Sequence, residues 1–115
     1  MNSNNFINYK EFENVDIRIG TVIEAYEYNE LKKPSIILRI DFGEKIGIKK
    51  TSAQLQKYYK GDELVNKQVI AVINFKPKQI GKIISEVLVI GVPDLENEPV
   101  LLSPDIPVNN GGKIF

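Results

Sequence analysis

The chemistry-bearing residues of this chain are amines, carboxylates, amides and hydroxyls. There is no histidine and no cysteine. The commonest general base, the commonest metal ligand and the thiolate nucleophile are therefore all missing. The densest group of candidates is Lys76-Pro77-Lys78-Gln79-Ile80-Gly81-Lys82, with Asn74 before it and Ser85-Glu86 after it. Three ammonium groups at close spacing attract an anionic partner diffusely, with Pro77 stiffening the segment and Gly81 permitting a turn. The competing reading is a solvated hairpin loop. A second group is Lys49, Lys50, Ser52 and Gln54, where an N-cap at Ser52 and two lysines would form an anion or carboxylate site; the alternative is a plain cap with solvated lysines. Arg18 either joins the same surface or pairs with a neighbouring carboxylate. Asp94, Glu96 and Glu98 alternate but lack the glycine and ligand spacing of a calcium loop, so they read as an acidic turn. The expectation is a non-catalytic binding protein with no metal and no cofactor.

The charge distribution agrees. The chain has 15 basic and 15 acidic residues, yet Lys45 to Ser85 holds nine lysines against Asp62 and Glu63, a local +7. Only two basic residues, Arg18 and Arg39, are arginine, which favours salt-sensitive attraction over bidentate recognition. The first seven residues have neither a basic n-region nor an apolar h-region, and no apolar run is long enough to span a bilayer. No membrane insertion and a cytoplasmic location are the expectations.

The elements that must position these residues are mostly strands. Val15, Ile17, Ile19, Thr21, Ile23 and Ala25 alternate against Asp16, Arg18, Gly20, Val22 and Glu24, with a sharp bend expected at Gly20. Ile36, Leu38, Ile40 and Phe42 form a second strand, and Gly43-Glu44-Lys45 turns into a third near Ile46 to Thr51. Ser52 to Tyr59 is predicted as a helix capped by Ser52, with Leu55, Tyr58 and Tyr59 on its inner face and Gly61 ending it. Strands at Gln68 to Phe75 and Ile83 to Val92 follow, Phe75 being read as core, and then a short strand at Val100 to Leu102. Asn8 is placed to cap one helical turn before the first strand. Three strands, a short helix and two strands give an all-β fold, a five-stranded OB-fold barrel. Residues 1–14 read as an N-terminal extension, 15–103 as the OB domain and 104–115 as a C-terminal tail.

Asp16-Ile17-Arg18-Ile19-Gly20 resembles the first-strand signature of the tRNA-binding OB-domain family, which includes the C-terminal domain of methionyl-tRNA synthetases. Asn74 to Lys82 with Ser85-Glu86 is similar to that family's second signature. Ile46 to Gln54 and Ser85-Glu86-Val87-Leu88 resemble its CsaA branch, stand-alone homodimeric export chaperones. The resemblance implies a homodimer built from the N-terminal segment and the tail. It further implies binding of unfolded or pre-secretory polypeptide in a basic groove, and contact with the export machinery. The implied alternative is a tRNA partner on the same lysine-rich face. The binding residues it points to are Arg18, Lys49, Lys50, Ser52, Gln54, Asn74, Lys76, Lys78, Gln79, Lys82, Ser85 and Glu86. Val87-Leu88 stands where tRNA-binding members carry Gly-Met, and a valine there is expected to keep nucleic acid off the backbone.

Overall fold

A computed structural model describes residues 5–115, so the start of the Asn-rich N-terminal segment lies outside the described residues. The chain opens with α1 (Tyr9–Glu13), a single turn held by a capping box. Asn8 accepts from the Glu11 N–H, and Glu11 accepts from the Asn8 N–H, which satisfies two otherwise orphaned donors.

The main sheet contains β1 (Ile17–Tyr28), β2 (Ser35–Asp41), β3 (Ile48–Ala53), β4 (Gln68–Val72) and β7 (Leu88–Val89), in the order β3-β2-β1-β4-β7. A short helix, α2 (Gly61–Leu64), separates β3 from β4. This is the expected five-stranded OB-type barrel. Two hairpins extend it: β5 (Lys78–Ile80) with β6 (Ile83–Ser85), and β8 (Gly91–Pro93) with β9 (Pro99–Leu101).

β1 serves two partners. Ile17 to Thr21 pair with β4, and Thr21 to Tyr28 pair with β2. The irregularity lies between Val22 and Glu24 rather than at Gly20. Gly20 and Val22 face the core by alternation; the bulge then leaves Ile23 exposed and brings Ala25 inward, so the alternating face of the sequence is not the continuous inner face. Gly20 has a packing role instead. A Cβ there would lie 2.5 Å from Ile40 Cγ2 and 2.8 Å from the Phe42 ring. The core comprises Val22, Ile36, Leu38, Ile40, Phe42, Leu55, Leu64, Val69, Ala71 and Val87. Each of its large side chains contributes about 1.5–3 kcal/mol by leaving water.

The predicted helix from Ser52 does not form. Ser52 and Ala53 continue β3, opposite Ile37 and Ile36. Leu55 and Tyr59 pack on the core from an irregular segment, while Tyr58 faces outward. The helix begins only at Gly61, so that residue opens a helix instead of ending one. Tyr59 Oη accepts from the Leu101 N–H, and Tyr58 Oη donates to Asp94, which latches the β8–β9 hairpin to this segment. The single predicted strand from Ile83 to Val92 is divided among β6, β7 and β8, because each part has a different partner.

The tail has no regular element beyond an isolated bridge of Lys113 to Arg18, but it is tied to β1. Gly111 and Gly112 exchange backbone hydrogen bonds with Ile19, and the Ile114 N–H donates to the Ile17 carbonyl. Residues near the end of the chain thus run along the edge of β1. Among the described residues no helix is long and apolar enough to cross a membrane.

The barrel closes between β3 and the stretch after β6 largely through side chains. Glu86 Oε1 accepts from the Lys50 N–H at 3.0 Å, and the Glu86 N–H donates to the Lys50 carbonyl at 2.7 Å. Thr51 Oγ1 donates to the Val87 carbonyl at 2.7 Å, and Ser85 Oγ accepts from the Ser52 N–H at 3.3 Å. Removing the Glu86 acceptor leaves a half-buried N–H without its partner, a loss of about 1–3 kcal/mol. Urea unfolding of Glu86→Ala is expected to show that loss, whereas Glu86→Gln, which keeps the acceptor oxygen, stays within about 1 kcal/mol of the parent. Equal effects of the two substitutions would contradict this closure.

Candidate polypeptide- or RNA-binding groove

The closure stretch also forms one wall of an open groove of about 320 Å³. Phe75 and Lys76 enter it from the link between β4 and β5, and Lys78 and Ile80 from one face of β5. Ser52 comes from the end of β3; Ser85, Glu86, Val87 and Leu88 come from the stretch that runs from β6 to β7. Apolar groups line most of it. Phe75 is 57% exposed and Leu88 52% exposed, a large unpartnered apolar surface for residues at strand ends.

The polar groups divide into committed and available. Glu86 is committed through Lys50, and its second oxygen stands 4.0 Å from Lys49 Nζ. Ser85 and Thr51 are engaged with each other and with the Val87 carbonyl. Lys76, Lys78 and Lys82 enter no ion pair among the described residues. An apolar floor with an uncompensated cationic rim is therefore what a ligand meets. Such a site rewards apolar side chains or base faces on the floor and anionic groups at the rim.

Of the twelve residues predicted from sequence, Ser52, Lys76, Lys78, Ser85 and Glu86 converge on this groove. Lys49 and Lys50 adjoin it through Glu86. Gln79 points away from the Lys78–Ile80 face and bonds the Gly81 carbonyl, and Lys82 sits in the hairpin turn. Gln54 is exposed after β3 and does not line the groove; with Ser52 in a strand, the N-cap anion site is absent. Arg18 takes the second of its two expected roles. Its guanidinium pairs with Asp16 at 2.6 Å and donates to the Gly111 carbonyl at 2.9 Å, holding the tail. Asn74 is likewise used elsewhere: its oxygen accepts from the Asp16 N–H and its amide donates to the Asn14 carbonyl. Arg18 thus ties the tail to β1, and Asn74 ties the link after β4 to the segment that leads into β1.

Four groove residues lay outside the predicted set: Phe75, Ile80, Val87 and Leu88. Apolar residues in strands read as core, as Phe75 does within a strand expected to run from Gln68 to Phe75. No local signal sets it apart, because the end of β4 at Val72 is visible only in the fold. Val87 corrects another expectation. Its side chain belongs to the core and is only 5% exposed, so it is no bulky screen over the backbone.

The acidic turn is internally satisfied. Asp94 accepts from Tyr58 Oη and from the N–H groups of Glu96 and Glu98. The Tyr58 hydrogen bond, more than the backbone donors, holds its carboxyl below the ordinary value, and the same bond raises the Tyr58 phenol. Lys57 pairs with Glu96 at 2.7 Å. No cluster of metal-ligating residues occurs among the described residues.

Comparisons with known proteins agree with this architecture. Residues 17–113 match the family described as "Putative tRNA binding domain". Methionine–tRNA ligase of Pyrococcus horikoshii is 34% identical over 109 residues, 95% of this chain but 14% of the ligase. The chain thus spans about one-seventh of that relative's length. Among solved structures, a CsaA chaperone protein from Picrophilus torridus is 46% identical with a TM-score of 0.88, covering 96% of this chain and 100% of that one. Chaperone CsaA from Bacillus anthracis is 44% identical with a TM-score of 0.87, covering 96% and 99%. A methionyl-tRNA-synthetase-related protein from Pyrococcus horikoshii, 24% identical at a TM-score of 0.84 over 96% and 98% of the two chains, shares the fold. This chain belongs to the tRNA-binding-domain family, in its CsaA-type branch.

Proposed function

We propose that this protein is a non-catalytic chaperone of the CsaA type that holds unfolded or pre-secretory polypeptide in the groove between β5 and the β6–β7 stretch. The observation that carries this reading is the exposure of Phe75 and Leu88 on the floor of a groove whose rim lysines are unpaired. Segments of an unfolded chain offer both apolar side chains and carboxylates, and a shallow open floor accepts them without demanding one sequence. The near end-to-end similarity to two CsaA chaperones supports it. Contact with the export machinery and a cytoplasmic location belong to this proposal as well.

The reading includes a homodimer. Phe6, Ile7, Tyr9 and Phe115 are strongly exposed, and Tyr9 and Phe12 flank a second groove with Ile114 and Phe115. The N-terminal extension and the 104–115 tail together would bury this apolar surface against a second copy. Two grooves on one particle would then strengthen attachment to a long client through effective concentration.

A second reading has its own support. The family match and the three unpaired lysines at positions 76, 78 and 82 favour tRNA as the ligand of the same face. Phe75 would then stack on a base.

Fluorescence anisotropy separates the two, using labelled, reduced and carboxymethylated α-lactalbumin competed with bulk tRNA at about 150 mM salt, where the Debye length is about 8 Å. The chaperone reading expects tRNA to compete poorly and Phe75→Ala to weaken the polypeptide roughly tenfold, from lost apolar burial. If tRNA instead binds at least about tenfold tighter, and Lys76→Ala/Lys78→Ala reduces the salt slope by about one per lysine, the RNA reading replaces it. For the dimer, sedimentation velocity at micromolar concentration should give a dimer that Tyr9→Ala/Phe115→Ala converts to monomer. A monomeric parent protein would exclude the two-groove mechanism.

A further inference from the structure

The β5–β6 hairpin supplies Lys78, Ile80 and Ser85 to the groove, yet no backbone ladder joins it to the main sheet. Its base is fixed by Ser85 on Ser52 and Thr51. Something else must hold its tip, because a two-stranded hairpin is at best marginally stable alone.

The tip is the turn Gly81-Lys82. Gly81 has φ +62°, a left-handed conformation, and a Cβ placed on it would fall 2.7 Å from Leu31 Cδ2 and 3.6 Å from Tyr28 Oη. A leucine side chain from the β1–β2 loop is therefore seated directly on the backbone of the turn. Leu31 is otherwise an odd residue. From Asn29 to Pro34 it alone is half-buried, and its neighbours are polar or exposed. The loop that carries it is anchored in turn. Gln56 Nε2 donates to Asn29 Oδ1 at 3.0 Å and to the Ser35 carbonyl at 2.7 Å, spanning both ends of the loop. Tyr28 lies behind the same contact, where partial desolvation and then the adjacent Glu30 raise its phenol above the ordinary value.

We propose that Leu31 is a positioning residue for the groove: it holds the tip of the β5–β6 hairpin and so fixes the wall that presents Lys78 and Ile80. Ile80 directly precedes the clamped glycine, and Lys78 projects from the same face two residues earlier, so movement at the tip displaces both. The β1–β2 loop thus acts on the groove through this contact. The consequence for binding rests on the groove reading above; the clamp itself does not.

Amide hydrogen exchange on the ligand-free protein tests the clamp. In Leu31→Ala, exchange at Lys78 to Ser85 should rise roughly tenfold while Ile36 to Ile40 in the core stay unchanged, the pattern of local rather than global opening. Leu31→Met should restore protection, and Gly81→Ala, which strains the turn and crowds Leu31, should reproduce the loosening. Affinity for carboxymethylated α-lactalbumin should fall severalfold in Leu31→Ala. Unchanged hairpin exchange in Leu31→Ala would overturn the proposal. So would a loosened hairpin that binds the polypeptide normally when Phe75→Ala does not. If polypeptide affinity ignores both substitutions while the hairpin loosens, the clamp stands and the groove reading fails.

Discussion

The structure depends on how a curled sheet is closed when its last strands are too short to close it. β7 has two residues and pairs only with β4. The gap toward β3 is bridged by Glu86, which both accepts from and donates to the backbone of Lys50, with Thr51 and Ser85 beside it. Side-chain oxygens thus take the place of ladder carbonyls. The arrangement satisfies the backbone groups of β3 that would otherwise face a sheet edge, and it leaves the chain free to project a hairpin. The closure and the groove share a wall, since Ser52, Ser85, Glu86 and Val87 belong to both.

The same constraint explains the charges. Glu86 is the groove's carboxylate, and its hydrogen bonds to β3 and its proximity to Lys49 use it up. Lys49 offsets the Glu86 charge, and Lys76 and Lys78 enter no ion pair among the described residues, so this surface stays cationic although the whole chain is neutral. Glu86 secures the wall, and the lysines set the sign of the surface. Elsewhere, opposite charges are neutralised locally, as between Arg18 and Asp16 or Lys57 and Glu96.

Much of this was legible in the sequence. Alternation from Ile36 to Phe42 and the order of strands around one short helix gave the barrel, because period-two apolarity reflects burial on one face. Residue type and spacing also point to Ser85-Glu86 and the lysines at 76 and 78, which the fold brings to one groove. The failures have physical causes. A bulge at Val22/Glu24 shifts the β1 pattern by one residue, and no local propensity announces it. Ser52 resembles a helix cap, but tertiary pairing with Ile37 and the Ser85 hydroxyl keeps it extended. Arg18 and Asn74 have the chemistry of ligand-binding groups, and only the fold reveals that the tail and the start of β1 consume them. Phe75 and Leu88 are the converse, core-like residues left uncovered at strand ends.

The central claim is that the apolar floor under the lysine rim is where an unfolded chain rests. Site-specific photo-crosslinking tests it directly, with benzoylphenylalanine placed at Phe75 or, outside the groove, at the exposed Leu95 of the β8–β9 turn. The account predicts that carboxymethylated α-lactalbumin is captured from position 75 and not from position 95. Capture from 95 with none from 75 would contradict it.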